Sequence, residues 1–431
     1  MNKRFLVLNA FRPNAEIENP EAFAGRFEQV KDLSDALMMD GAVPVIYGGR
    51  GLGKTSLANQ LARIALGDDS LLKSIGAEDR VIDGDNAFIP FWVSCSDETR
   101  TKEQMLQRLI NSAEGFNDVS SFHGMNHSST TVKARIKLAV FEAEAIDKYE
   151  RQDGRSFSKL GIEDQFFAVR EALYQKGFER VLFILDEVDR VHSTKGLANF
   201  IKNATNYNTR FVIVGIGNTI SSLLEDHQSL QRSIIPIAVS RMGNSELADI
   251  VNKALIILKT EGVNIMFNSD AMDKIVNASD GFPWFTHVLA QEAIGKCWNE
   301  SRGAVTVDDV ELSINSIATN RCAQQFSDSY QAAVRDSRQR EIVLRLMAKW
   351  REDDVQLSEI YPIAKELGVS NPYVSKSDLA LVRHGAVVVS PPMHAQGVVR
   401  FKDSMFKRYV NLRPSLYSGV KESVDDAWSN R

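Results

Sequence analysis

Between residues 43 and 240, short unbroken apolar runs alternate with longer amphipathic stretches. The runs fall at residues 43–47, 88–95, 181–185, 211–214 and 234–239. Strand-length runs separated by helical periods predict a parallel sheet covered by helices on both faces. The run Val181, Leu182, Phe183, Ile184, Leu185 has no polar alternation, as a strand enclosed on both faces requires, and it predicts the middle of the sheet. One polar stretch interrupts the alternation. Residues 112–131 are rich in Ser, Asn, Gly and His, a helical stretch follows over 131–149, and residues 152–158 are polar again, which marks an insertion with no assigned role.

After residue 243 the strands stop and helical periods take over at 245–259, 269–278, 285–298 and 306–318. Ser245, Ser269 and Thr306 stand where N-caps are wanted, each with acidic residues in the following turn. From Arg338 a third pattern begins. Helices are expected to residue 351, at 357–367 and at 371–383, followed by strands at 386–390 and 398–402 around a loop holding Pro391, Pro392, His394 and Gly397. That order outlines a winged helix. The expected domains are an α/β domain at 1–242, a helical lid at 243–335, a winged helix at 336–412 and a loosely held polar tail at 413–431. Residues 5–8, an apolar run behind Lys3 and Arg4, are too short for a secretory segment and read as a strand or an arm.

Composition narrows the class. A chain of 431 residues, 44% hydrophobic and 25% charged, builds several ordinary globular cores. Its net charge of -5 excludes a global basic field, so any nucleic-acid contact must come from a local patch. Cys95, Cys297 and Cys322 are scattered, without metal-site spacing, and read as reduced packing residues. No stretch reaches the roughly 18 apolar residues that span a bilayer, so no membrane contact and a cytoplasmic location are expected.

The chemistry concentrates at two places. Gly48-Gly49-Arg50-Gly51-Leu52-Gly53-Lys54-Thr55 follows an apolar strand and leads through Ser56 into a helix with Leu57, Leu61 and Ile64 on one face. Glycines let backbone N–H groups wrap phosphates, Lys54 reaches their charge, and Thr55 ligates Mg2+, so the segment predicts ATP as ligand. Asp186 and Glu187 end the apolar run at 181–185. Carboxylates at the carboxyl end of a parallel strand face the nucleotide crevice, which assigns Asp186 to the metal and Glu187 to the attacking water.

In this order the segments resemble the AAA+ superfamily, specifically its initiator (origin-recognition-like) and STAND-type ATPases. Phe23-Ala24-Gly25-Arg26 resembles the entry segment before the P-loop, Gly48 to Thr55 the Walker A motif, and Leu185-Asp186-Glu187-Val188-Asp189 the Walker B motif. The strand from Phe211 with Asn218 resembles sensor 1, and Gly281-Phe282-Pro283 the start of the lid helix. The resemblance implies a P-loop AAA+ parallel sheet with a helical lid and a C-terminal winged helix. It implies nucleotide contacts from Gly25, Arg26 and Pro283, with Asn218 beside the γ-phosphate, although Asn218 also suits a helix cap. Arg232 stands where such proteins keep an arginine finger for a neighbour's nucleotide, with Arg241 as rival, and this implies a homo-oligomer. No arginine stands early in the lid helix, where many members keep sensor 2. His287 is there instead, as a weak substitute or a buried lid histidine, and slow turnover is the expectation.

Two functions remain open at this level. One is an ATP-driven switch or assembly factor that acts on DNA through the winged helix, with Tyr373, Ser375, Lys376 and Ser377 on the first turns of its third helix, aided by His394 and Gln396. The other is a STAND-type signalling or defence ATPase whose winged helix contacts a protein partner. Asp378 and the acidic group Glu352, Asp353 and Asp354 weigh against DNA, and Lys402, Lys407, Arg408 and Arg413 weigh for it.

Overall fold

The computed structural model describes residues 2–82, 86–114, 160–175, 177–217, 219–390 and 397–430. The polar insertion from 115 to 159, Asn218, and the loop with His394 and Gln396 lie outside them. The chain forms two compact units, residues 16–240 and residues 1–15 with 241–431.

In the first unit all five apolar runs are strands of one parallel sheet: β1 (Val43–Gly48), β2 (Ile89–Ser94), β3 (Val181–Asp186), β4 (Thr209–Ile216) and β5 (Ile234–Val239). Their order is β2-β3-β4-β1-β5, so β4 is the middle strand and β3 stands beside it. The expectation that 181–185 marks the middle is corrected by one place. Both strands are enclosed on two faces, and a continuous apolar run reports enclosure, not rank in the sheet. One face is filled by a phenylalanine cluster in which Phe183 stacks between Phe91 and Phe211, at centroid distances of 5.4 and 5.2 Å. Phe166 and Phe200 close over it from the helices Ile162–Gln175 and Leu197–Ala204. The order reverses at β1, which places a crevice at the carboxyl ends of β1, β4 and β3.

In the second unit, helices Asn244–Thr260, Ser269–Ser279, Pro283–Asn299 and Val307–Ser316 lie where the periods predict them. Of the three expected caps only Thr306 holds, closing a reciprocal box with Asp309. Gly243 and Asn268 are the other N-cap positions, which moves Ser245 and Ser269 inside their helices. The segment read as strand or arm is a helix, Lys3–Asn9, started by the Asn2 side chain accepting from the Arg4 amide. It is held by Gln291, whose Nε2 donates to the carbonyls of Leu8 (2.8 Å) and Phe11 (3.0 Å).

The described residues from 338 to 401 follow the helix and strand order expected of a winged helix. Helices Arg338–Lys349, Leu357–Glu366 and Pro372–Leu379 pack beside an antiparallel sheet in which Val398–Phe401 lies between Asp354–Gln356 and Val388–Val389. Two expectations change. The third helix stops at Leu379, short of 383, and a separate turn follows at Val382–His384. The tail is not loose: Val420–Ser429 is a helix with Val420 and Val424 buried and Trp428 edge-on to Trp350. Its approach is pinned by Glu341, a fully buried carboxylate that accepts from Tyr330 (2.5 Å), Arg345 (3.2 Å) and the amides of Leu416 (2.8 Å) and Tyr417 (3.0 Å). A buried charge is tolerated because every part of it is bonded.

Candidate functional site

The glycine-rich loop joins β1 to the helix Lys54–Ala65. Gly51 and Gly53 take left-handed φ of 70° and 87°, which turns backbone amides toward the helix N-terminus. Gly48 is required for closeness: a Cβ there would stand 2.3 Å from the Val239 carbonyl oxygen of β5. Leu52 is buried and Arg50 exposed. Lys54 is buried, with Nζ folded back on the Gly49 carbonyl at 2.8 Å. Burial brings its ammonium down to about 8 although Asp189 and Asp186 pull the other way.

Asp186 is only 4% exposed at the end of β3, two strand spacings, about 10 Å, from β1. Burial lifts its carboxyl to about 6, against hydrogen bonds from the Glu187 amide and the Thr55 hydroxyl. A buried carboxylate and a buried ammonium, each shifted toward neutrality, are thus anchored on adjoining residues, Asp186 by Thr55 and Lys54 by Gly49. Thr55 and Asp186 together fit Mg2+, which keeps several waters and takes few protein oxygens. Among the described residues there is no cluster of three or more His, Cys, Asp or Glu placed to hold a metal ion.

Glu187 begins the next turn with a left-handed φ of 55° and is half-buried. Its Oε2 accepts from Ser94 Oγ at 3.2 Å, a partner that the sequence offered no pattern to find, since only the parallel pairing of β2 with β3 brings it there. Asp189 accepts from the Ile216 amide at 2.6 Å and ties the turn to the end of β4. The Gly217 amide donates to the Gly48 carbonyl at 3.2 Å, joining β4 to the loop.

Other expected nucleotide residues act as scaffold in this structure. Arg26, buried with φ of 60°, donates to the carbonyls of Leu52 (3.3 Å) and Ser240, so it braces the loop from behind, next to Gly25. Ser56 accepts the Ile17 amide at 3.0 Å, and Gln60 holds the carbonyls of Ile17 and Glu18 at 2.8 and 3.2 Å. Pro283 is the first residue of the helix Pro283–Asn299 in the other unit.

The strand order, the loop between β1 and its helix, and the acidic end of β3 decide the architecture. It is AAA+ in fold. No known protein family and no curated protein matches the sequence. Solved structures similar to it include the Walker-type ATPase PABY2304 of Pyrococcus abyssi, 13% identical over 92% of this chain and 98% of that one, TM-score 0.49. Another is the Aeropyrum pernix ORC2 protein, 14% identical over 94% and 95%, TM-score 0.48. A third is Cdc6p from Pyrobaculum aerophilum, 13% identical over 98% of both chains, TM-score 0.44.

The remaining candidates are placed as follows. Arg232 is exposed and forms no hydrogen bond or ion pair with described residues, just ahead of β5. Arg241 is engaged inside its own unit, 2.8 Å from Asp280 and stacked 4.8 Å over Phe282. On the third helix of the winged domain Tyr373 is exposed and Lys376 stands 5.8 Å over its ring, with Ser377 half-buried. Ser375 is corrected: it is buried against the domain's own core and is not presented to a ligand. Asp378 is paired with Arg340 at 3.3 Å. Lys407, Arg408 and Arg413 are also spent internally, on the Glu352 carbonyl (2.6 Å), the Ala278 and Asn277 carbonyls (2.8 Å each) and the Pro414 carbonyl (3.0 Å).

Proposed function

We propose that the protein is an ATP-dependent switch of the AAA+ kind that hydrolyses ATP. The observation that carries this reading is the glycine-rich turn between β1 and its helix, with Lys54 buried at the helix start and Asp186 buried at the end of β3, bonded by Thr55. Lys54 swings from the Gly49 carbonyl to phosphate oxygens, the glycine-loop amides cradle them, and Thr55 and Asp186 hold Mg2+ through oxygen and water. Mg2+ supplies charge neutralisation on the phosphates when bound. Glu187 accepts a hydrogen bond from the attacking water and orients it, with Asn218 as its expected neighbour at the phosphate. Arg232, exposed and unengaged, serves as the finger in a homo-oligomer, and the internal pairing of Arg241 supports that choice between the two.

DNA is the proposed target of the winged helix, through Tyr373, Lys376 and Ser377. So few cations predict weak, salt-sensitive binding by one copy, strengthened when ATP assembles several. The test is duplex DNA titration at low and moderate salt with ATP, for wild type and Lys376→Glu; equal binding by the variant, or none by wild type at low salt, removes DNA. One observation favours a protein partner instead. Tyr373 is 64%, Val374 51% and Val382 89% exposed, an apolar presence beside the third helix that sequence periodicity did not reveal.

A further inference from the structure

The segment between β4 and β5 that carries Arg232 is pinned on both sides of that residue. On the near side, Thr194 and Glu225 bond reciprocally: the Thr194 amide donates to Glu225 Oε1 at 2.9 Å and the Glu225 amide to Thr194 Oγ1 at 3.0 Å, with Thr194 buried. Beside them the helix Leu197–Ala204 begins at Gly196, which has no side chain to cap it. Asp226 supplies the cap from the other segment, Oδ1 accepting from the Ala198 amide at 3.2 Å and Oδ2 from the Asn199 amide at 3.3 Å. From Asp226 to Arg232 the chain runs through linked turns. The Ser229 amide donates to the Asp226 carbonyl (3.0 Å), the Gln231 amide to the Gln228 carbonyl (3.3 Å) and the Ser233 amide to the Leu230 carbonyl (2.8 Å), while Leu230 is buried in the core. On the far side, the Ser233 carbonyl accepts from the Val43 amide at the start of β1, at 2.8 Å. Between these anchors Arg232 alone of the residues 230–233 combines a charge with full exposure.

We infer that Asp226, with Glu225 and Thr194 behind it, is a positioning residue that fixes the backbone under Arg232, so that the guanidinium is offered to a neighbouring copy's nucleotide from a rigid support. The inference rests on the assignment of Arg232 as the finger of a homo-oligomer. A long exposed side chain gives up rotamer freedom when it engages a phosphate, and a backbone already held in place keeps that as the main ordering cost. With the Asp226 cap removed, the turns from 226 to 231 are free to shift, and a small misplacement of a charge at a reacting phosphate is enough to slow the step. The clamp acts on the neighbour and not on its own subunit's nucleotide. Its bonds go to the amides of Thr194, Ala198 and Asn199, whereas Lys54 is held by Gly49 and Asp186 by Thr55 and the Glu187 amide. A cap that served only helix stability would lower the melting temperature and leave no mark on which subunit of an assembly is impaired.

The experiment measures steady-state hydrolysis of ATP with Mg2+ by the full chain, for Asp226→Ala, Arg232→Ala and Glu187→Gln, each alone and in equal mixtures combined before ATP is added. Asp226→Ala alone lowers kcat about ten-fold, less than the loss of the guanidinium itself, with KM for ATP within about two-fold of wild type. Mixed with Glu187→Gln, which is inactive but keeps its finger and its clamp, Asp226→Ala recovers: the rate rises to about five times the mean of the two separate rates, because half of its neighbours now present Arg232 correctly. Mixed with Arg232→Ala it shows no such rise, since both copies fail as donors. A wild-type kcat in Asp226→Ala overturns the inference, and so does a loss that Glu187→Gln copies do not relieve, which would place the damage in the variant's own site. If Asp226→Ala does not fold, Thr194→Val, which removes the hydroxyl that holds Glu225, takes its place in the same mixtures under the same two criteria. Wild-type hydrolysis by Arg232→Ala is a separate result: it removes the finger assignment on which the inference stands.

Discussion

Two helix starts in this molecule, one after a glycine-rich turn and one capped by Asn371 ahead of Pro372, do opposite things with charge. At Lys54–Ala65 the chain buries an ammonium, brings a buried carboxylate beside it, and leaves both shifted toward neutrality. At Pro372–Leu379 the charges are paired or exposed, Asp378 with Arg340 and Lys376 over Tyr373, and the unusual feature is apolar surface at Tyr373 and Val374. Folding does not bury opposite charges in an incompletely neutralised site for stability alone, since desolvation outweighs their attraction. This is why the first helix start is proposed as the ligand site. The second is a domain surface whose charges are paired or exposed and whose Tyr373 and Val374 stand outward.

The strongest break of this contrast is at the phosphate loop. Lys54→Ala is expected to lower ATP affinity by at least about 100-fold, because a ground-state charge contact is lost, whereas Glu187→Gln binds ATP normally and slows hydrolysis by a similar factor. Equilibrium binding of a fluorescent ATP analogue, read beside phosphate release, checks both; normal binding by the lysine variant ends the contrast. Next comes Glu341→Ala. Removing one partner of a fully bonded buried cluster is expected to cost about 3–5 kcal/mol, and the loss belongs to the unit of residues 1–15 and 241–431. Chemical denaturation followed at Trp350 and Trp428 measures it, while an equal loss of ATP affinity would mean that the two units do not separate energetically.

The smallest expected effect is a pH response of the lid. His287 accepts the Arg12 amide at 3.3 Å and packs edge-on to Phe11 at 6.2 Å. Desolvation by these neighbours, then the Arg12 charge, brings its imidazole down to about 4. The unfolded chain thus binds this proton more readily than the folded one, so stability is full above about pH 6.5 and declines between 6.5 and 4. His287→Phe is expected to flatten that part of the melting-temperature profile by a few degrees. A profile identical to wild type would show that His287 does not contribute to it.

The loop glycines, Lys54, Thr55, Asp186 and Glu187 could be singled out as candidates because phosphate and metal chemistry calls for those residue types in a fixed local order, and local order is what a sequence displays. The five strands were legible for a similar reason: β-rich apolar runs of strand length have few other uses. What stayed hidden was set across the chain. Ser94 meets Glu187 only through the register of β2 on β3, Arg26 reaches Leu52 and Ser240 from 26 and 214 residues away, and Glu341 gathers Leu416 and Tyr417 from the far end of the chain. Likewise, which of Tyr373 and Ser375 faces outward depends on how the third helix is rotated against its neighbours, and that rotation is a packing decision with no period of its own in eight residues. The sequence by itself determined the five strands and most of the helices, and it located the glycine-rich turn and the acidic strand end as candidates, because these follow from local periodicity and from residue types that stand close together. The tertiary structure alone decided which side chains brace them, which charges are already spent, and which surface is left over, because those depend on distances between residues that the chain does not place near one another.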